Sequence, residues 1–448
     1  MSNRGPTSFR LEDGVLTAGP PAGGLASGLR PLVAETGGTW FACAVTDADR
    51  IAAAAAQPDP HINVRLIAVD PDQYHNFYDV ISNSTLWFLH HGLWNLPVWP
   101  EFDSDWHRAW SDYVAVNHRM AVVVAAEAPE NALVMVQDYH FMLLGAEVRA
   151  LRPDLRLAHF SHTPFTGPES LHVLPSKARQ QMLEGLAAYD TCGFHTERWR
   201  SRFLSCCEEF GVIPPSTFVS PLPADISGIR ELATSDDCAD RLATLEARIG
   251  DQVLLFASGR LELSKNLVRA FNAYELLLET EPWRQGDVVF AAFVYASRGE
   301  LPEYETYRSL CEETAARINE RFGTSSWNPI WLDTDDDLAR SVAGLRRYDV
   351  LIINPIRDGL NLIAFEGPSV NERDGVLLLS PEAGAFSLLA GPALECPPFD
   401  IEATAQQMSR AIALAPEERA RRSAELRTIS EQRSIDDWLQ DNVGALAN

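Results

Sequence analysis

The chain has 448 residues, 46% of them hydrophobic and 9% aromatic, the make-up of a globular protein too long for a single core. A formal net charge of −25 argues against nucleic acid or an anionic membrane surface as partner, so an anionic ligand would need a locally cationic pocket. The seven cysteines, without a C-x2-C pair, read as reduced thiols of a cytoplasmic protein rather than a disulfide frame or a zinc site; the opening Met1-Ser2-Asn3-Arg4 is no signal peptide, and no apolar run approaches the ~20 residues of a membrane span.

Short apolar runs bounded by turn residues alternate with helical patterns throughout, which predicts an α/β architecture with mostly parallel sheets. The first half shows strands at 40–45, 64–69, 133–137 and 157–162, helices at 25–33 and 119–128, and an alanine-rich helical run at 52–56. The stretch 211–228, with Pro214, Pro215, Pro221 and Pro223, reads as the linker between halves, giving domains 1–225 and 226–448. Strands follow at 253–258, 288–295, 329–332, 350–354 and 376–379, and the tail from about 416 is charged and helical, with a final helix expected to pack back on the first domain. Two such domains in tandem imply a cleft with ligands at the carboxyl ends of the strands.

Chemistry concentrates in the second half. Lysine occurs only at positions 177 and 265, leaving 35 of the 37 basic residues as arginine, and Lys265 lies five residues after Arg260 between a strand and a helix. Two cations there can face an anion that the helix amino terminus also attracts, a phosphate or diphosphate by first expectation. Next comes Asn354-Pro355-Ile356-Arg357-Asp358-Gly359-Leu360-Asn361-Leu362-Ile363-Ala364-Phe365-Glu366, a strand end, a glycine turn and a helix start that suit a phosphate, with Glu366 able to accept from ribose hydroxyls. The acidic run 333–337 is expected to cap the following helix rather than bind a metal.

These residues resemble the retaining glycosyltransferases of trehalose-6-phosphate synthase type, glycosyltransferase family 20. That family carries R-x4-K and D-G-M-N-L-V-x-x-E motifs, matched by Arg260 with Lys265 and by Asp358 to Glu366. Ser2-Asn3-Arg4, Ala22-Gly23-Gly24-Leu25, Tyr78-x3-Ser82-Asn83-x2-Leu86-Trp87, Asp138-Tyr139-His140, His162-x-Pro164-Phe165, Ser297-Arg298-Gly299 and Ala383-Gly384-Ala385 match further family segments in order. The resemblance implies a GT-B fold, two Rossmann-like domains facing each other across a cleft. It also implies a metal-independent retaining transfer from a UDP- or GDP-linked sugar to a sugar phosphate, with no other cofactor and with small molecules as partners; a homo-oligomer is compatible with it. Carried over, Arg260, Lys265, Asp358 and His162 would serve catalysis. Gly23, Gly24, Gly359, Leu360, Asn361, Leu362 and Glu366 would hold the donor, and Arg4, Tyr78, Trp87, Asp138 and Arg298 the acceptor.

The chain departs from the family pattern after Arg260, where Glu262, Leu263 and Asn266 stand in place of Asp, Tyr and Gly. Together with Asn371-Glu372-Arg373-Asp374, Lys265-Asn266 resembles the validoxylamine 7′-phosphate synthase branch, pseudo-glycosyltransferases that join a nucleotide-activated cyclitol to an aminocyclitol phosphate. Trehalose 6-phosphate is the default product. That pseudo-glycosyl transfer, glucosylglycerol-phosphate synthesis and a non-catalytic sugar-phosphate-binding regulator are the alternatives.

Overall fold

The computed structural model describes residues 1–12, 15–19, 29–30, 33–54, 59, 61–297 and 301–446, which divide into two units: Met1–Leu222 with Ile435–Asn448, and Pro223–Ser434. In the first unit an antiparallel hairpin, β1 (Ser8–Glu12) and β2 (Val15–Gly19), precedes the parallel pair β3 (Thr39–Ala44) and β4 (Asn63–Ala68). A four-stranded parallel sheet follows in the order β5 (Leu133–Gln137), β6 (Arg156–Ser161), β7 (Thr191–Phe194), β8 (Ser216–Val219). The chain start joins the two sheets. Ser2 N donates to Phe41 O and Cys43 N to Asn3 O on β3, while Gln137 N of β5 donates to Met1 O.

Two sequence expectations change here. The stretch 211–228 is not a bare linker, because β8 lies within it as an edge strand. Prolines flank β8 on both sides and an edge strand has one side free of ladder bonds, so proline-rich surroundings do not forbid it. The helix expected at 119–128 is the second half of Ser104–Glu127, which Asp103 caps through Asp105 N and Trp106 N. Its first half is anchored by Trp106, Trp110 and Tyr113, buried along one helical face. Most of the helix expected at 25–33 and the end of the run 52–56 lie outside the described residues.

The second unit is one parallel sheet in the order β11 (Ile330–Asp333), β10 (Val288–Ala296), β9 (Val253–Leu261), β12 (Val350–Ile353), β13 (Val376–Leu379), β14 (Leu394–Glu395). Its strands are near-continuous apolar runs, as expected of strands covered on both faces. In sequence rank the order is 3-2-1-4-5-6, the dinucleotide-fold order, with the direction of winding reversed between β9 and β12. Asp349 pins these two strands at their amino ends: its Oδ2 accepts from Leu254 N and from the buried Arg347, both at 2.9 Å.

The last helix, Ile435–Gly444, belongs to the first unit. Trp438 is fully buried against Phe160 with ring centroids 5.0 Å apart, and Ser220 Oγ donates to Asp441 at 2.8 Å. Trp438→Ala should therefore lower stability by about 3–5 kcal/mol, the usual cost of emptying a buried tryptophan site, as read by denaturant unfolding. A loss under about 1 kcal/mol would mean the helix is not needed by that core.

Candidate active site

The two cations stand at the carboxyl end of β9. Arg260 is its penultimate residue, and Lys265 closes the short turn Leu263–Lys265. Asn266 follows at φ +64, a left-handed conformation that glycine and asparagine tolerate best. Its buried amide donates to the carbonyls of Asn354 at 3.0 Å and Pro398 at 2.6 Å, and its Oδ1 accepts from Arg269 at 2.8 Å. The missing family glycine thus has a local cause, backbone conformation plus a structural amide.

From the next strand, Asp358 meets Lys265. Lys265 Nζ donates to Asp358 Oδ2 at 2.6 Å, and Asn361 Nδ2, on a residue at φ +80, donates to the same oxygen at 2.9 Å. The Asp358-Gly359-Leu360 segment packs on Ala383-Gly384-Ala385: Gly384 N donates to Asp358 O, Ala385 N donates to Leu360 O, and a Cβ on Gly384 would lie 2.0 Å from Gly359 O. Leu362 precedes the helix Ile363–Val370, where Ala364 N donates to Asn361 O and both Phe365 N and Glu366 N donate to Leu362 O. Arg260, Glu262, Lys265, Asn354 and Asn361 line one pocket at the β9–β12 switch point.

Glu366 falls in the first turn of that helix, half-buried; burial, with Asp225 adding to it, pushes its carboxyl up to about 7. Glu262, which nothing in the sequence marked as functional, is fully buried, with Arg260 Nη1 at 3.0 Å and Ser297 Oγ at 3.1 Å on its Oε1. Its position, two residues from Arg260 on an extended segment, was the available signal.

The first unit gathers a second set at its strand ends. Asp138 has φ +68, and its carboxylate accepts from the backbone N–H of His162 at 3.2 Å and Thr163 at 3.3 Å; burial outweighs these bonds and raises its pKa to about 6. His162 contacts Gln137 Oε1 through Nε2 at 2.8 Å, and burial, then His195 and His159, hold it well below the ordinary histidine range, hence neutral at pH 7. Tyr78 stacks on Tyr74 and His140, with the Arg4 guanidinium 5.9 Å from its ring. Trp87 is 7% exposed and stacks on His91 at 3.8 Å.

Tyr78 and Trp87 lie on a π-helix, Asn76–Trp87, where Ser82 Oγ and Thr85 Oγ1 each donate to the carbonyl five residues back. Gly23, Gly24 and Arg298 lie outside the described residues.

Several other sequence features prove to be structural. Asp337 caps the helix Leu338–Arg347 through Arg340 N, and Asp333 pairs with the Arg340 side chain. Among the described residues no group of three or more His, Cys, Asp and Glu is arranged to hold a metal. Asn371, whose tract suggested the pseudo-glycosyltransferase branch, is buried: its Nδ2 donates to Leu345 O and Tyr348 O, and its Oδ1 accepts from Arg373 N and Gly375 N. Neither it nor Asn266 lines the pocket at the switch point, and both amides are engaged within the protein, so these two asparagines have a folding role.

The match to glycosyltransferase family 20 spans residues 1–448. The chain belongs to that family. This family 20 chain is 32% identical over 395 residues to a bifunctional trehalose-6-phosphate synthase/phosphatase of Thermoproteus tenax, covering 85% of the chain but 53% of that relative, about half its length. It is 30% identical over 433 residues to a trehalose-6-phosphate synthase of Salmonella paratyphi B, covering 93% of the chain and 89% of that protein. A trehalose-6-phosphate protein from E. coli bound with UDP-2-fluoro glucose matches it with a TM-score of 0.86 at 28% identity, covering 96% of each chain. An α,α-trehalose-phosphate synthase (UDP-forming) from Burkholderia xenovorans in complex with glucose-6-phosphate gives a TM-score of 0.86 at 26% identity, covering 100% of this chain and 99% of that one. The fold is thus the α/β fold of these GT-B enzymes. No helix among the described residues is long and apolar enough to cross a membrane.

Glu366 should leave a pH signature on stability. Its folded pKa, about 7, lies above the ordinary 4.5, so between these values the folded state holds more protons and stability falls as pH rises. Glu366→Gln removes that slope. The melting-temperature advantage of the variant should grow from pH 4.5 to 7 and stay constant above; an advantage independent of pH would contradict the shift.

Proposed function

We propose that this chain transfers glucose from UDP-glucose to glucose 6-phosphate with retention, forming trehalose 6-phosphate and UDP, in the cytoplasm. The observation that carries this reading is the pairing of Arg260 and Lys265 in one pocket with Asn361 at the switch point of a dinucleotide-type sheet. It is supported by family membership and by relatives seen with UDP-2-fluoro glucose and with glucose-6-phosphate. Seven free, buried cysteines agree with a reducing compartment.

In this reading the C1–O bond to the diphosphate breaks as the acceptor hydroxyl attacks the same face of C1, and the hydroxyl proton passes to the leaving phosphate oxygen. Arg260 and Lys265 stabilise the charge that grows on the diphosphate, so they act on the barrier more than on ground-state binding. The backbone from Gly359 to Leu362 faces the phosphates or the sugar, and Glu366 accepts from ribose hydroxyls. Neutral His162 donates or accepts a hydrogen bond at the sugar without adding charge. Arg4 and Arg298 take the acceptor phosphate as charge-assisted, bidentate donors, and Tyr78, Trp87 and Asp138 shape and bond its ring.

The test is to incubate the protein with UDP-glucose and glucose 6-phosphate and to follow UDP release and the anomeric configuration of the product. Failure to release nucleotide from either UDP- or GDP-glucose with this acceptor would overturn the proposal. Lys265→Ala should lower kcat by about 10²–10³-fold, as loss of one group preorganised on developing charge does, and should cost under about 1 kcal/mol of stability because its ion pair is partly exposed. A stable variant with an unchanged rate would remove Lys265 from the mechanism.

A further inference from the structure

We infer that Glu262 is a positioning residue that orients the Arg260 guanidinium for the transition state, an inference resting on the assignment of Arg260 to the leaving diphosphate. Backbone geometry brings the parts together. Arg260 is the penultimate residue of β9, and Glu262 follows the strand's last residue at φ −125 and ψ 147, so the two side chains, two residues apart on extended chain, share a face. On the neighbouring strand the register pairs Tyr295 with Arg260 and Ala296 with Leu261, which brings Ser297 beside Glu262. The outcome is a fully buried carboxylate whose Oε1 receives Arg260 Nη1 at 3.0 Å and Ser297 Oγ at 3.1 Å.

A desolvated carboxylate beside an anion pocket opposes ground-state phosphate binding, so attraction alone does not account for its place here. Orientation does. A guanidinium is a rigid plane with five donors, and fixing one nitrogen fixes where the others point. Arg260 is 41% exposed along its side chain and lines the pocket with Lys265 and Asn361, so the anchored plane is presented there. Ser297 holds the anchor in turn, tying the exit of β10 to the exit of β9.

The consequence is a split between binding and turnover. In Glu262→Gln the shape and the Ser297 bond persist while the charge that holds Arg260 is lost. UDP affinity should stay within about threefold of wild type or rise, while kcat with UDP-glucose and glucose 6-phosphate falls about 10–100-fold, the scale of a catalytic group displaced by about an ångström. Glu262→Asp, which keeps the charge, should recover most of the rate. In an Arg260→Ala background the same Glu262→Gln change should cost nothing further, because its effect runs through Arg260.

UDP binding by calorimetry and steady-state rates on the full chain read these outcomes. Unchanged kcat in a folded Glu262→Gln, or an equal loss with Arg260 present and absent, overturns the inference. A wild type that neither turns over nor binds UDP overturns the functional reading and this inference with it. Should Glu262→Gln fail to fold, Ser297→Ala replaces it: a kcat loss of threefold or more that vanishes in the Arg260→Ala background supports the role, and an unchanged kcat overturns it.

Discussion

The Lys265–Asp358 contact is the tie on which the pocket of the second unit depends. β9 and β12 pair through two residue pairs, Val350 with Leu255 and Leu351 with Phe256, near the amino end of β12. Beyond them the two strands lead into helices on opposite sides of a reversal in winding, and such a reversal opens a crevice. Loops entering a crevice lose the ladder that held their strands and must be held by other bonds. Lys265 to Asp358, the Asn266 amide to Asn354 O, and Ile356 N to Ser264 O supply them across the gap. The lysine is therefore one of three ties across its own pocket, and its retention in an arginine-rich chain has a structural as well as an electrostatic cause.

The two units handle buried charge differently. Around the second-unit pocket charge is kept in two pairs, Lys265 with Asp358 and Arg260 with Glu262, while burial pushes Glu366, outside those pairs, up to about 7. At the strand ends of the first unit burial works toward neutrality, raising Asp138 to about 6 and holding His162 uncharged among two other histidines. A site for a diphosphate leaving group needs fixed charge that does not have to reorganise as the bond breaks. A site for sugar hydroxyls is served by neutral donors and acceptors.

Much of this was legible in the residues. The apolar runs at 133–137 and 376–379 coincide with β5 and β13, because a continuous apolar run bounded by turn residues carries a signal that needs no partner to interpret. β7 and β8 escaped notice for the opposite reason: four residues such as Thr191-Cys192-Gly193-Phe194 owe their strand form to neighbours far along the chain. At the site, Arg260, Lys265 and Asp358 stood out by type and spacing. Glu262 did not, since an acid between cations looks like a solvated loop charge until burial is known. Asn266 and Asn371 invited a substrate-level reading for a related reason, since sequence shows an unusual residue without showing that its amide is spent on backbone carbonyls.

The return of Ile435–Gly444 to the first unit has a consequence for how the protein is made. The second unit is, in chain order, an insertion between Leu222 and Ile435. Trp438 closes onto Phe160 across nearly 280 residues, a contact whose entropic cost grows slowly with loop length but which cannot form before its residue leaves the ribosome. The second unit, which ends at Ser434, precedes that helix along the chain. The first, begun earlier, cannot cover Phe160 with Trp438 until that helix has been made, so the unit that begins first depends on residues that follow the whole of the second.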